Sequence, residues 1–323
     1  MSSEISIRRA EPSDRQDAID LCRAALGWGA DDPNEAFFDW KHFQNPFGES
    51  PMWLAEMDGR LVGVRVFLRW RFVRNGQRYE AVRAVDTATH PDAQGRGVFK
   101  ALTLGALPEL TEAGTHFVFN TPNAQSRPGY LKMGWSEVGR VPVGVAIVRP
   151  GALRRVAGAK AAANKWSEPL TIGLTSHEAF ANEADVEALT GDQRSGEFRT
   201  DRSGEYLRWR YSFEALQYRV VPVGDRISDG VVVVRIRRRG SALEATISEA
   251  LAASPTAFGA TVRHILRETG ADYAIAGGGL ELVRSGFVPV PRLGPILTWR
   301  PLGRPGVPLL NELDLELGDV ELF

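Results

Sequence analysis

Cysteine is almost missing from this chain: Cys22 is the single one in 323 residues. One cysteine excludes an intramolecular disulfide and any zinc site built from several thiolates. Cys22 falls in a helix expected over Arg15 to Leu26, beside Leu21 and Leu26, where a small buried side chain is its ordinary role. The histidines His42, His90, His116, His177 and His264 show no ligand spacing with one another or with Cys22, so no metal is expected. Excess charge is absent too, 39 Lys and Arg standing against 40 Asp and Glu for a net −1. That balance excludes general attraction to nucleic acid or to an anionic membrane, and any partner must be bound by a local site. No apolar run approaches the roughly 18 residues of a membrane span, and Met1-Ser2-Ser3-Glu4 lacks the apolar core of a secretion signal. These absences together lead to the expectation of a cytoplasmic protein with no nucleic-acid and no membrane partner.

What is present includes 43% hydrophobic residues, enough for ordinary cores, on a length that suits two domains better than one. The stretch Val85 to Phe99, VDTATHPDAQGRGVF, organises the rest. A strand over Val82 to Thr89 breaks at His90-Pro91-Asp92 and passes through Gln94-Gly95-Arg96-Gly97 into a helical run from Val98 to Glu112. Two glycines flanking an arginine at a strand-to-helix junction leave backbone N–H groups free to point outward, where the helix dipole adds positive charge. Such a turn can cradle a pyrophosphate. At a fixed distance follow a short apolar strand, Phe117-Val118-Phe119, then Asn120-Thr121-Pro122-Asn123. A short helix carrying Ser126 and Tyr130 comes next, closed by Lys132-Met133-Gly134-Trp135.

These motifs resemble the core of the GNAT N-acetyltransferase superfamily. Its acyl-CoA loop reads Gln/Arg-x-x-Gly-x-Gly/Ala, and Gln94, Gly97 and Phe99 fall on the three defined positions, Phe99 replacing Gly or Ala. The family's later motif is matched by Asn123, Ser126, Tyr130 and Gly134-Trp135. The resemblance implies acetyl-CoA as co-substrate and direct transfer to a primary amine of a small molecule. It also implies diphosphate contacts from backbone groups of Gln94, Gly95, Arg96, Gly97, Val98 and Phe99, and pairing of the pantetheine arm with the main chain of Ala88 and Thr89. Asn123 and Ser126 would hydrogen-bond the pantetheine or cap the helix. Tyr130 stands where the family's general acid lies, with packing on the cofactor as its other role.

Acetyl transfer also requires a neutral amine, and an amine with a pKa near ~10 is protonated at neutral pH. Three groups are candidates for the base: Asp86, whose burial would raise its pKa; His90, which could instead cap the loop; and the C-terminal carboxylate of Phe323, as in some two-copy relatives. Trp40, His42, Phe43 and Phe47 line an acceptor pocket or belong to the core.

The rest of the chain is organised as a repeat. Tyr206 to Tyr211 echoes Phe37 to His42, Tyr218 to Val223 with Val231 to Arg237 echoes the hairpin from Trp53 to Phe72, and Val283 to Phe287 echoes Leu131 to Trp135. The expected fold class is therefore α/β with mixed sheets, two GNAT-like domains in tandem, the second degenerate because Ser248 to Pro255 holds no glycine loop. The expected boundaries are 1–150 for the acyl-CoA domain, 151–198 for a helical connector, 199–303 for the second copy and 304–323 for an extended tail, the last from its alternating acidic and apolar residues. The second copy would wall the acceptor pocket or form a homodimer contact. Two other functions fit the pattern: an aminoacyl-transferase acting on cell-wall precursors, and a non-catalytic acyl-CoA-binding module.

Overall fold

The computed structural model describes residues 4–147, 151, 155, 162–191, 196–278 and 280–321. In chain order the elements are β1 (Ser6–Arg9), α1 (Arg15–Leu26), α2 (Asn34–His42), β2 (Met52–Met57), β3 (Arg60–Arg74), β4 (Gln77–Thr89), α3 (Val98–Gly105), α4 (Leu107–Glu112), β5 (Phe117–Asn120), α5 (Arg127–Lys132) and β6 (Ser136–Arg140). There follow β7 (Val143–Ala146), α6 (Ser176–Ala179), α7 (Glu183–Gly191), β8 (Arg199–Thr200), α8 (Gly204–Arg210), β9 (Arg219–Pro222), β10 (Val231–Arg239) and β11 (Ala242–Leu251). The last are α9 (Pro255–Thr269), β12 (Tyr273–Gly277), α10 (Leu280–Arg284), β13 (Val288–Pro289), β14 (Ile296–Pro301) and α11 (Leu317–Val320). They form two compact units, one of Met1–Gly139 with Ile296–Leu309, the other of Arg140–Pro295 with Leu310–Phe323.

The sheet of the first unit runs β1-β2-β3-β4-β5-β14-β6. Its two hairpins turn at Asp58-Gly59 (φ 51° and 72°) and Asn75-Gly76 (φ 51° and 74°), left-handed pairs whose twist matches that of the flanking strands. Alternation along β2 and β3 sends Leu54, Val64 and Val66 to one face, where α1 and α2 bury Ile19, Cys22 and Phe38 against them. Trp53, Ala55 and Phe67 go to the other face, under Val98, Leu102, Leu107, Leu110 and Tyr130 of α3, α4 and α5. A Cβ at Gly63 would collide with Val98 and Leu102, so that glycine sets how closely α3 approaches.

One irregularity shapes the sheet's centre. Arg65 pairs with Thr87 but Val66 pairs with Val85, leaving Asp86 as an extra residue bulged out of β4 at φ 38°. The parallel ladder between β4 and β5 joins only Ala81–Arg83 to Phe117–Phe119. Beyond Arg83 the two strands part, and the bulge increases local twist at that fork.

Within the second unit the order is β13-β7-β12-β11-β10-β9. Here β11 carries a bulge as well: Val233 pairs with Glu249 and Val234 with Ile247, leaving Ser248 extra. The β11–β12 ladder is parallel and ends at Ile247–Ala276. Ser254 caps α9, which packs Phe258, Val262, Ile265 and Leu266 onto Val232, Val234, Ala245 and Ile247.

Two sequence expectations need correction. The boundaries at 150, 198 and 303 do not divide the chain as its compact units do, because β7 pairs β12 and β13 while β14 pairs β5. Hydropathy marks a segment as a strand without naming the edge it joins. Much of the first part of the connector expected over 151–198 lies outside the described residues; further on, Glu168 and Leu174 bridge to Ile236 and Val220 of the second unit's sheet. Finally, the tail is not extended. Leu310–Glu312 is a single 3-10 turn, and α11 starts at a capping box in which the Glu316 N–H donates to Asp319 Oδ2 at 2.8 Å. Phe323 lies outside the described residues.

Candidate functional site

The turn between β4 and α3 begins at His90, whose Nδ1 accepts the Asp92 N–H at 3.3 Å, so this histidine caps the loop. Gly95 and Gly97 adopt φ 76° and 87°, with nothing within 4 Å of where a Cβ would stand. Backbone conformation, rather than space, therefore requires glycine at both places. Gln94, Gly95, Arg96 and Gly97 are exposed. The first helical bond runs from the Ala101 N–H to the Gly97 carbonyl at 2.9 Å, so the amides of Val98, Phe99 and Lys100 precede the ladder and lie at the positive end of α3. Phe99 turns inward. Its ring meets Tyr130 edge-on at 5.3 Å and packs on Gly129, where a Cβ would stand 3.1 Å away, so the bulky side chain lies beneath the loop and leaves the amides clear.

From this turn an edge of β4 leads to the fork. Thr87, Ala88 and Thr89 pair with Arg65, Val64 and Gly63 of β3 on one side, while on the other the ladder with β5 has already ended at Arg83. A strand-like ligand can add there by main-chain hydrogen bonds. Tyr130, buried on α5, stands on the α3 face of the sheet between the rings of Phe99 and Trp135. Asn123 is occupied in capping: its Oδ1 accepts from the N–H of Ser126 at 2.9 Å, the N–H of Gln125 at 3.0 Å and the Ser126 hydroxyl at 3.0 Å. Gly134, at φ 91°, leaves room for Arg300, which donates to the Met133 carbonyl.

Asp86 faces the opposite side of the sheet. Its carboxylate takes an ion pair from Lys41 and a 2.7 Å hydrogen bond from His42 Nε2, both on α2 and both buried. Burial alone would push this carboxyl up, as the sequence suggested, but the Lys41 ammonium and His42 hold it well below the usual carboxylate range. It stays ionised and is a weak proton acceptor. Burial pushes the His42 imidazole down to about 4, so it is neutral, with its proton on Nε2 toward Asp86 and its Nδ1 facing the Ser50 hydroxyl at 3.0 Å. Two contacts thus pin a left-handed, non-glycine residue in place at the bulge.

Sequence reasoning passed over Lys41 and Ser50 and treated His42 only as a possible pocket or metal residue. Helical period was the available signal, since Lys41 and His42 follow Phe37 and Phe38 by four residues and share their buried face. Trp40, His42 and Phe47 are buried in the core, while Phe43 is exposed. A cavity of about 490 Å³ lies away from the loop, lined by Leu104, Leu107, Pro108, Thr111 and Arg300, and holds none of these groups. Among the described residues no three His, Cys, Asp or Glu side chains are grouped to hold a metal, and no helix is long and apolar enough to cross a membrane.

Residues 6–138 match the profile of the acetyltransferase (GNAT) domain. A comparison with curated proteins finds no match. Among solved structures, the chain is similar to a GCN5-related N-acetyltransferase from Anabaena variabilis, with 13% identity and a TM-score of 0.64 over 93% of this chain and 73% of that one. A GCN5-related N-acetyltransferase from Kribbella flavida gives 15% identity and 0.61 over 93% and 71%. Eis1 from Mycobacterium abscessus gives 17% and 0.56 over 93% and 74%. At these identities the likeness is one of fold, and it extends beyond the matched domain through both units. The profile match falls on the stretch that holds the glycine turn, the fork and Tyr130, and it is this stretch of the chain that is similar to the GNAT acetyltransferase domain.

Proposed function

We propose that the chain transfers an acetyl group from acetyl-CoA to a primary amine of a small molecule, with the chemistry in the first unit. The observation that carries this reading is the exposed Gln94–Gly97 turn, with its two left-handed glycines, at the head of a β4 edge that β5 leaves open. Amides of Gly95 to Phe99 hold the diphosphate, with Arg96 adding charge from outside. The pantetheine arm pairs with Thr87 to Thr89 and brings the thioester to the fork. Tyr130 then protonates the departing sulfur, its hydroxyl donating to the thiolate as it forms. Asp86, ionised and tied to Lys41 and His42, fixes the bulge, and the amine loses its proton to water.

The second unit has no counterpart of this turn among its described residues. Only Ala252 to Ser254 join its β11 to α9, without glycine, and Pro255 brings no N–H to the first turn of the helix. Its fork is filled by the tail, for Gly318 lies so close to Ser248 that a Cβ would stand 2.8 Å from that carbonyl oxygen, and Leu317 N lies 3.0 Å from the Cβ position of Gly277. We read it as a degenerate copy of the first.

Calorimetric titration with acetyl-CoA, followed by detection of free thiol with a panel of amines, tests the proposal. One binding event per chain and amine-dependent thiol release are expected. Absence of binding rejects the acetyl-CoA site; binding without thiol release for any amine leaves a binding module and rejects the enzymatic reading.

A further inference from the structure

β3 carries a charge at a position that alternation assigns to the core. Val64 and Val66 face α1, whereas Gly63, Arg65 and Phe67 face α3, and Arg65 is completely buried there. Its side chain crosses β4 at its register partner Thr87, whose hydroxyl accepts from Nη1. The guanidinium carbon stands 4.8 Å from the ring centre of Phe67, 5.3 Å from that of Tyr130 and 5.6 Å from that of Phe99. Neither Nε nor Nη2 has an acceptor among the described residues. The contrast with the second unit is informative: buried Arg202 and Arg235 are each paired with a carboxylate, Glu249 and Asp319 for the first, Glu321 for the second.

Aromatic rings attract a cation, but they do not replace acceptors for its N–H groups. A buried guanidinium with two unmet donors is thus prepared for an anion or a strong acceptor. The place narrows the choice. Thr87 is the first residue past the bulge, Tyr130 is the proposed acid, and Phe99 belongs to the proposed diphosphate loop, so on the acetyl-CoA reading the pantetheine arm would pass Arg65 near its sulfur. Sulfur is the atom of that arm that becomes anionic during transfer.

We infer that Arg65 is a catalytic residue whose free Nε–H and Nη2–H stabilise the negative charge on the departing coenzyme A sulfur. The inference rests on the acetyl-CoA reading above. The amine nitrogen attacks the thioester carbonyl and forms the C–N bond. The C–S bond then breaks with its electron pair on sulfur, and Arg65 holds that charge while the Tyr130 proton moves to sulfur. One proton leaves the nitrogen to water, and water restores the Tyr130 hydroxyl, so the products are the amide and free coenzyme A thiol.

The test compares wild type with Arg65→Met, which fills the aromatic box without charge, and Arg65→Lys, which keeps the charge. The thiol pKa of coenzyme A bound to each is read from thiolate absorbance against pH, with desulfo-coenzyme A as the binding control. In wild type the bound thiol titrates below its ordinary ~8.5. Arg65→Met returns it there and lowers kcat by about 10²-fold, as loss of one oxyanion donor does elsewhere, while desulfo-coenzyme A binds as before. Arg65→Lys keeps part of the shift. A bound thiol in wild type that titrates at or above its ordinary value overturns the inference, even if Arg65→Met fails to fold. An unchanged kcat in a folded Arg65→Met does the same. Failure of wild type to bind coenzyme A at all overturns the acetyl-CoA reading instead.

Discussion

Gly97→Ala separates the proposed diphosphate turn from the rest of the fold. At φ 87° a residue with a Cβ pays about 1–2 kcal/mol for a left-handed conformation, and since nothing lies within 4 Å of that Cβ the cost is conformational and not steric. The turn is exposed, so in the free protein it can relax and shed the strain. If the turn holds the diphosphate as proposed, binding must restore the glycine geometry, and the cost then appears in affinity, about 5- to 30-fold in Kd. Gly27→Ala is the matched control: φ is 67°, again nothing lies within 4 Å, but the residue ends α1. It should lower the melting temperature and leave acetyl-CoA affinity alone. Calorimetry on both variants reads the difference. Equal affinity in Gly97→Ala and wild type, or an equal loss in Gly27→Ala, refutes the assignment of this turn to the cofactor.

Three further outcomes are expected. Tyr130→Phe should lower kcat by about 10²- to 10⁴-fold with acetyl-CoA affinity little changed; unaltered turnover rejects the acid role. His42, buried neutral with its pKa pushed down to about 4, makes the folded state bind fewer protons than the unfolded chain as pH falls below ~6.5. Stability should be full above that pH and fall toward pH 4 by up to about 1.4 kcal/mol per unit, and urea unfolding of His42→Gln should show a flatter profile. Arg202→Met removes the guanidinium that pairs with both Glu249 and Asp319, each fully buried, and should cost about 3–5 kcal/mol in urea unfolding.

Local chemistry was legible in the sequence, and partner choice was not. Asp58-Gly59 and Asn75-Gly76 announce their hairpins because left-handed turns need those residue types. Gly95 and Gly97 announce the loop for the same reason. By contrast, Val143–Ala146 and Ile296–Pro301 read as ordinary strands, and only the folded chain shows that the first joins β12 and the second β5. The acidic tail misled through its alternation, since carboxylates of its end are spent on arginines: Asp319 on buried Arg202, Glu321 on buried Arg235 and half-buried Arg237. Asp86 misled through its surroundings. Its pKa depends on Lys41 and His42, about forty-five residues earlier in the chain, and no local pattern links them.

The two bulges lie beside an open strand edge in one unit and a covered one in the other. In each unit an antiparallel strand gains one residue, Asp86 or Ser248, just beyond the last parallel pair with the next strand, so in each a fork opens at the same topological point. A fork exposes unpaired main-chain groups, which must find partners in ligand, water or protein. In the first unit the strand beyond the bulge runs on to an exposed glycine turn, and its edge remains available. In the second, the Arg202 pairs with Glu249 and Asp319 hold the tail at the bulge, and Gly318 allows that helix to approach the Ser248 carbonyl. Any side chain at 318 would push the tail out of its fork, whereas at 97 a side chain meets nothing and acts only through φ. The same residue type thus closes one fork by allowing contact and shapes the entrance to the other by conformation alone.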